Sequence, residues 1–140
     1  EQSDMPMMAL MYEENFRRFV HVIRDNYGAK THFIFGKIHN SLIDTQPIRG
    51  KDFRGAEHVR NAQTKIADNM KNMAMIDTDS FPLRPDNVHY NNPGQLALGT
   101  AFSESWMEAQ KRAFMIKILV LIFGIGIIFI SGLMFVRTFR

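Results

Sequence analysis

Cysteine is absent from these 140 residues. Its absence excludes a disulfide framework and any thiolate metal site, though it does not identify a compartment. Net charge is also low. Seventeen Lys and Arg against 14 Asp and Glu leave +3, which does not point to nucleic acid as a partner. No glycine-rich stretch has the spacing of a phosphate-cradling loop. His21, His32, His39 and His58 are scattered without metal-ligand spacing. There are no internal repeats and no low-complexity tracts. Neither a metal nor a cofactor is therefore expected.

Apolar residues are plentiful, and they are unevenly placed. Ten Met and twelve Phe favour an adaptable apolar interior. The run Ile118 to Val136 contains no charged residue, and Ser131 is its only side chain with a hydrogen-bonding group. At ~1.5 Å per residue in a helix, such a run spans the ~30 Å hydrocarbon core of a bilayer. A membrane-embedded backbone must satisfy its own hydrogen bonds, so the expectation is a transmembrane helix with lipid as a partner. Only Arg137, Thr138, Phe139 and Arg140 follow it. The expected organisation is a domain over residues 1–110 and a single-pass membrane anchor with a short basic tail over 111–140. Lys111, Arg112 and Lys117 precede the run while Arg137 and Arg140 follow it, so flanking charge does not decide the orientation. Gly124, Gly126 and Gly132 are small enough to admit a neighbouring helix. The chain opens on Glu1 rather than Met, and no signal peptide is visible. A processed chain, or a sequence that begins inside a longer one, is the expectation.

The remainder alternates in period. Met8, Tyr12, Phe16, Phe19, Val20, Ile23 and Tyr27 recur at helical spacing, and Gly28 stops the helix. Thr31–His39 carries the β-favouring run Phe33-Ile34-Phe35. Asn40–Asp52 is loop-like, punctuated by Pro47 and Gly50. Gly55–Lys71 presents Val59, Ala62, Ile66 and Met70 on one helical face, and Met73–Asp77 is a short strand. The stretch Arg49, Lys51, Arg54, Arg60 and Lys65 is expected to be a solvated face. Thr78–Tyr90 is a polar loop. Asn92-Pro93 opens a helix, with Asn as cap and Pro in the first helical position, and Leu96, Gly99, Phe102 and Trp106 form its apolar stripe. This order predicts an α/β layer with parallel strands. Two strands do not make a stable open sheet, so a further polypeptide is expected to supply the rest.

Chemistry concentrates in Asp86-Asn87-Val88-His89, in the loop after the second strand. A His there can take a proton from a nucleophile. An Asp three residues earlier can hold one ring nitrogen and stabilise the imidazolium. Loops at the C-terminal ends of parallel strands are where such sites lie. The spacing alone also fits two solvated loop residues.

The context favours the first reading. Val59-Arg60-Asn61-Ala62-Gln63, Met75-Ile76-Asp77-Thr78, Asp86-Asn87-Val88-His89-Tyr90, Gly94-Gln95 and Leu98-Gly99 together resemble the C-terminal half of SGNH hydrolases, closest to the sialate O-acetylesterase and acetylxylan-esterase branch. Glu1-Gln2-Ser3-Asp4 is similar to the end of that branch's Q-G-E-S-D block, with one Gln inserted. The resemblance covers about residues 1–106 and implies an incomplete, flavodoxin-like α/β half-domain. It also implies Asp86 as triad acid and His89 as general base. The nucleophilic Ser and most oxyanion donors of that family belong to blocks preceding the position of Glu1. Ser3, Ser41, Ser80, Ser103 and Ser105 have no nucleophile-type setting.

Two functions follow as expectations. In one, the chain is the C-terminal part of a membrane-anchored O-acetylesterase-like hydrolase, inactive alone because its Ser lies elsewhere. In the other, it is a structural accessory subunit of a membrane assembly that reuses a hydrolase scaffold.

Overall fold

The computed structural model describes residues 6–44 and 53–138 in their backbone, and the side chains of 7–43 and 53–127. Its elements are α1 (Pro6–Leu10), α2 (Tyr12–Tyr27), β1 (Phe33–Gly36), α3 (Ser41–Asp44), α4 (Ala56–Asn69), β2 (Met73–Ile76) and α5 (Asn92–Thr138). The chain divides into two compact units, Glu1–Ser105 and Trp106–Arg140.

In the first unit, β1 and β2 pair in parallel, Phe33 opposite Met73 through Gly36 opposite Ile76. Among the described residues the sheet has these two strands. β1 is shorter than the Thr31–His39 expected. One more ladder bond follows it, from Lys37 N–H to the Ile76 carbonyl. At the next residue the Ile38 N–H donates to the Gln63 side chain instead, and the strand ends. Every residue of β1 is only half-buried. A parallel strand is normally covered on both faces.

The α4 helix carries the largest share of the core. Ala56, Val59, Ala62 and Ile66 are buried; the last three belong to the expected stripe, whose fourth member, Met70, follows the helix and is half-buried. The expected N-terminal helix is two helices. At Met11 the N–H reaches only three residues back, to the Met8 carbonyl, and its own carbonyl accepts from Asn15. This turn separates α1 from α2. Phe16 meets Phe35 with ring centroids 5.1 Å apart, and Phe19 meets Phe33 at 5.9 Å. Arg24 lies over the Phe33 ring and donates to the Thr31 and Lys71 carbonyls, tying the end of α2 to the entries of both strands. Only Val20 of the expected α2 stripe is fully buried. Phe19 is 54% exposed and Tyr27 78%.

Two further expectations change. Leu96 and Trp106 of the final helix are exposed, while Leu98 is the side chain that approaches Gly36. Within 40–52, Ser41–Asp44 forms the short helix α3; the punctuating Pro47 and Gly50 lie outside the described residues.

In the second unit Arg112 pairs with Glu108 one turn away, and Phe114, Met115, Ile116 and the apolar residues from Leu119 to Ile127 are exposed. Among the described residues no helix is long and apolar enough to cross a membrane. The transmembrane helix expected at Ile118–Val136 is therefore unsupported by the structure. Its second half, from residue 128 with Gly132, lies beyond the described side chains.

Candidate functional site

The site lies where both strands end. After β1 the chain continues through Lys37, Ile38, His39 and Asn40 into α3; after β2 it continues through Asp77, Thr78 and Asp79. Thr78, 1% exposed, donates its hydroxyl to the Lys37 carbonyl at 2.6 Å. One side chain thus joins the two strand ends.

Arg60, on α4, completes the clamp. Its guanidinium holds Asp79 through both oxygens, at 2.8 and 2.7 Å, and also donates to the Ile38 carbonyl. The Asn40 N–H adds a third contact to Asp79, at 2.9 Å. The Arg60 hydrogen bond is the main cause of an Asp79 carboxyl held below the usual carboxylate range; partial burial opposes it. Here the expectation of a solvated basic face fails for Arg60, which is 9% exposed. A guanidinium matches a carboxylate bidentately, and that pairing lets the charge leave water. Arg49 and Lys51 of the same stretch lie outside the described residues. Gln63, one turn along α4, bridges the strand end to Tyr12: its amide N–H donates to the Tyr12 hydroxyl and to the Gly36 carbonyl. Burial pushes the Tyr12 phenol upward, partly offset by Gln63.

The loop over Thr78–Asn91 closes on itself. Leu83 bridges Tyr90 in antiparallel fashion, the Arg84 N–H donates to the His89 carbonyl at 2.7 Å, and the Asn87 N–H returns to the Arg84 carbonyl. Asn87 takes the left-handed conformation, φ 56°, which Asn tolerates better than most residues. The reversal lets Asp86 Oδ1 accept the backbone N–H groups of Val88 and His89, each at 3.0 Å. Asp86 Oδ2 lies 2.8 Å from His89 Nδ1. An ionised carboxylate only accepts, so Nδ1 carries the proton and Nε2 of the neutral ring keeps its lone pair. Hydrogen bonds from the His89 N–H, the His89 ring and the Val88 N–H, in that order, hold the Asp86 carboxyl well below the usual range. The His89 side chain is 69% exposed.

Gly94 seats this loop against the start of α5. A Cβ there would lie 2.1 Å from the Pro82 carbonyl oxygen, inside any possible contact. The Asn91 side chain accepts the Gly94 N–H and donates to the Leu83 carbonyl, so the first turn of α5 and the loop share one residue. Ser41 holds the loop from the other side, donating to the Asn87 carbonyl at 2.7 Å.

Asp86 and His89, the site pair expected from the sequence, are thus brought into direct contact. Ser41, Asp79 and the buried role of Arg60 were not expected; their partners are remote in sequence, and no local pattern marks them. No group of three or more His, Asp or Glu among the described residues could hold a metal ion.

A family model described as carbohydrate esterase, sialic acid-specific acetylesterase, matches residues 2–108. Among solved structures, a protein from Arabidopsis thaliana with an X-ray structure at 1.6 Å is similar at a TM-score of 0.57 and 22% identity, over 73% of this chain. This chain spans 38% of that one. No curated protein matches.

Proposed function

The chain belongs to the sialic acid-specific acetylesterase family of carbohydrate esterases, and from that membership we propose that Asp86 and His89 are the acid and base of a Ser-His-Asp triad. The observation that carries the reading is the 2.8 Å contact between His89 Nδ1 and Asp86 Oδ2, on an exposed loop at the carboxyl edge of a parallel sheet. Among the described residues His89 Nε2 has no hydrogen-bond partner, so it is available to a hydroxyl from another segment or chain.

The chemistry then runs as acyl transfer. His89 Nε2 takes the proton of the Ser hydroxyl as its oxygen attacks the acetyl carbonyl. The resulting imidazolium is stabilised by Asp86 and returns the proton to the sugar oxygen as it leaves. Water, deprotonated by the same nitrogen, attacks the acetyl-Ser; acetate departs and the Ser hydroxyl is restored. This chain supplies the proton-handling half. A second segment supplies the nucleophile and covers the half-buried strands.

A fluorophosphonate probe on the native assembly tests the proposal. Labelling of a Ser in a co-purifying segment, abolished by His89→Ala, is expected. An unlabelled assembly whose His89 loop is packed against other subunits would instead make the chain a structural accessory subunit.

The uncharged run Ile118–Val136 is proposed as a membrane anchor, on the strength of its composition and length; Gly124 and Gly126, around which an added Cβ would meet nothing within 4 Å, are the proposed contact points for a partner helix. Alkaline carbonate should leave the chain in the membrane pellet. Ile122→Arg, placing a charge within the run at ~3 kcal/mol, should move part of it to the supernatant. Complete release of the unaltered chain would refute the anchor.

A further inference from the structure

The peptide group joining Asn87 to Val88 is held at both ends. Its carbonyl accepts the Ser41 hydroxyl at 2.7 Å. Its N–H donates to Asp86 Oδ1 at 3.0 Å. The other Asp86 oxygen takes the His89 Nδ1 proton. A carbonyl cannot donate, so the direction of the first bond is fixed: the Ser41 proton points at Asn87. Ser41 itself is steadied by His39, whose Nδ1 accepts the Ser41 backbone N–H at 3.1 Å; the Ser41 hydroxyl oxygen lies 2.9 Å from the same nitrogen and, its proton being committed to Asn87, makes no second bond there. His39 in turn stands edge-on to Tyr90, centroids 6.3 Å apart.

These contacts form an unbroken line from the end of β1 to the imidazole. Hydrogen bonds in series polarise one another, so a carbonyl that accepts makes its own amide N–H a better donor. The left-handed Asn87 is held on one side by its own N–H, which donates to the Arg84 carbonyl, and on the other by the Ser41 bond to its carbonyl.

We propose that Ser41 is a positioning residue for His89: through the Asn87–Val88 peptide it fixes the orientation of Asp86 and hence of the imidazole. Ser41 touches no reacting atom, and the residue has no part in the acyl-transfer steps. The inference rests on the reading of His89 as general base for its purpose, but the geometry it asserts is measurable without turnover.

The experiment is NMR of the full chain in detergent micelles, with 15N-labelled histidine for the ring nitrogens and amide exchange for the loop. His89→Gln identifies the His89 ring signals. In the unaltered chain His89 is expected as the Nδ1-protonated tautomer, with a slowly exchanging Val88 amide. Ser41→Ala should raise Val88 amide exchange roughly five- to tenfold, the loss of about one hydrogen bond. It should also shift His89 toward a mixture of tautomers while α4 amides are unchanged. Ser41→Thr, which keeps the hydroxyl, should restore both signals. The positioning role is overturned if Ser41→Ala leaves the His89 tautomer and Val88 exchange as they were, or if α4 amides accelerate as much as Val88, which would make Ser41 a general support. Failure of the fluorophosphonate test leaves these readouts intact, so the two ideas fail separately.

Discussion

His89→Ala should lower hydrolysis by the complete assembly about 10⁴-fold or more, because a triad without its base retains only binding and oxyanion stabilisation. Asp86→Asn should fall by a similar factor of ~10⁴ through a different cause. The ring remains, yet an amide can donate to Nδ1, which selects the tautomer whose Nε2 is protonated and cannot receive the Ser proton. The two losses should not add. A double variant should be about as slow as either single one, since residues acting as one unit are removed together by the first change. The measurement is kcat/KM on an O-acetylated sugar for the single and double variants. Rates within tenfold of the unaltered assembly for His89→Ala would remove His89 from the chemistry. Neither change should alter thermal stability greatly, because the His89 side chain is exposed and the oxygen of an Asn at position 86 can still accept the Val88 and His89 backbone N–H groups.

Arg60→Ala should strongly destabilise the first unit. It strips Asp79 of both guanidinium bonds and deprives the Ile38 carbonyl of a donor. Removing one partner of a fully buried ion pair costs ~3–5 kcal/mol. The Asp79 side chain keeps 26% of its exposure, so water recovers part of that, and about 3 kcal/mol in all is expected after counting the carbonyl. For a domain near 100 residues this lowers Tm by roughly 12–20 °C. Arg60→Lys should recover only part, as an ammonium cannot span both oxygens.

The same pair sets an acid dependence. Asp79 has a folded-state carboxyl pKa below its unfolded value of about 3.9. Its contribution is therefore fully present above the unfolded pKa and is lost as pH falls toward the folded one. Arg60→Ala should flatten the stability profile in that acid window while lowering it at neutral pH. Melting curves between about pH 2 and 7 check both; an unchanged slope would assign acid sensitivity elsewhere.

The parts legible from sequence were those governed by near neighbours. Val59, Ala62 and Ile66 announce α4 because burial recurs with the helical period. Asn92-Pro93 marks the start of α5 to within one residue: Asn92 is already helical and the cap is Asn91, whose side chain accepts the Gly94 N–H, because capping is a one-turn event and either Asn could fill the place. Asp86 and His89 meet because a tight loop closes over three residues. What escaped depends on chain segments far apart in sequence. Arg60 sits in a run of positive charge, and only the arrival of Asp79, 19 residues away, distinguishes it from Lys65, which stays exposed. Ser41 and Asn87 are 46 residues apart, and nothing near Ser41 hints at the pairing. Tyr27 fits the α2 stripe by spacing but stays exposed, and Phe19 is covered only along the edge that meets Phe33, since helical period says which residues share a face and not how much surface lies opposite it.

The Gly94 seat offers a way to sort relatives by inspection. A chain with any side chain at the equivalent place must draw its Pro82-like carbonyl away from the helix start, and the hairpin bearing the acid and base moves with it. A single letter, read beside an intact D-x-x-H, thus separates sequences able to adopt this arrangement from those that carry its residues without its shape.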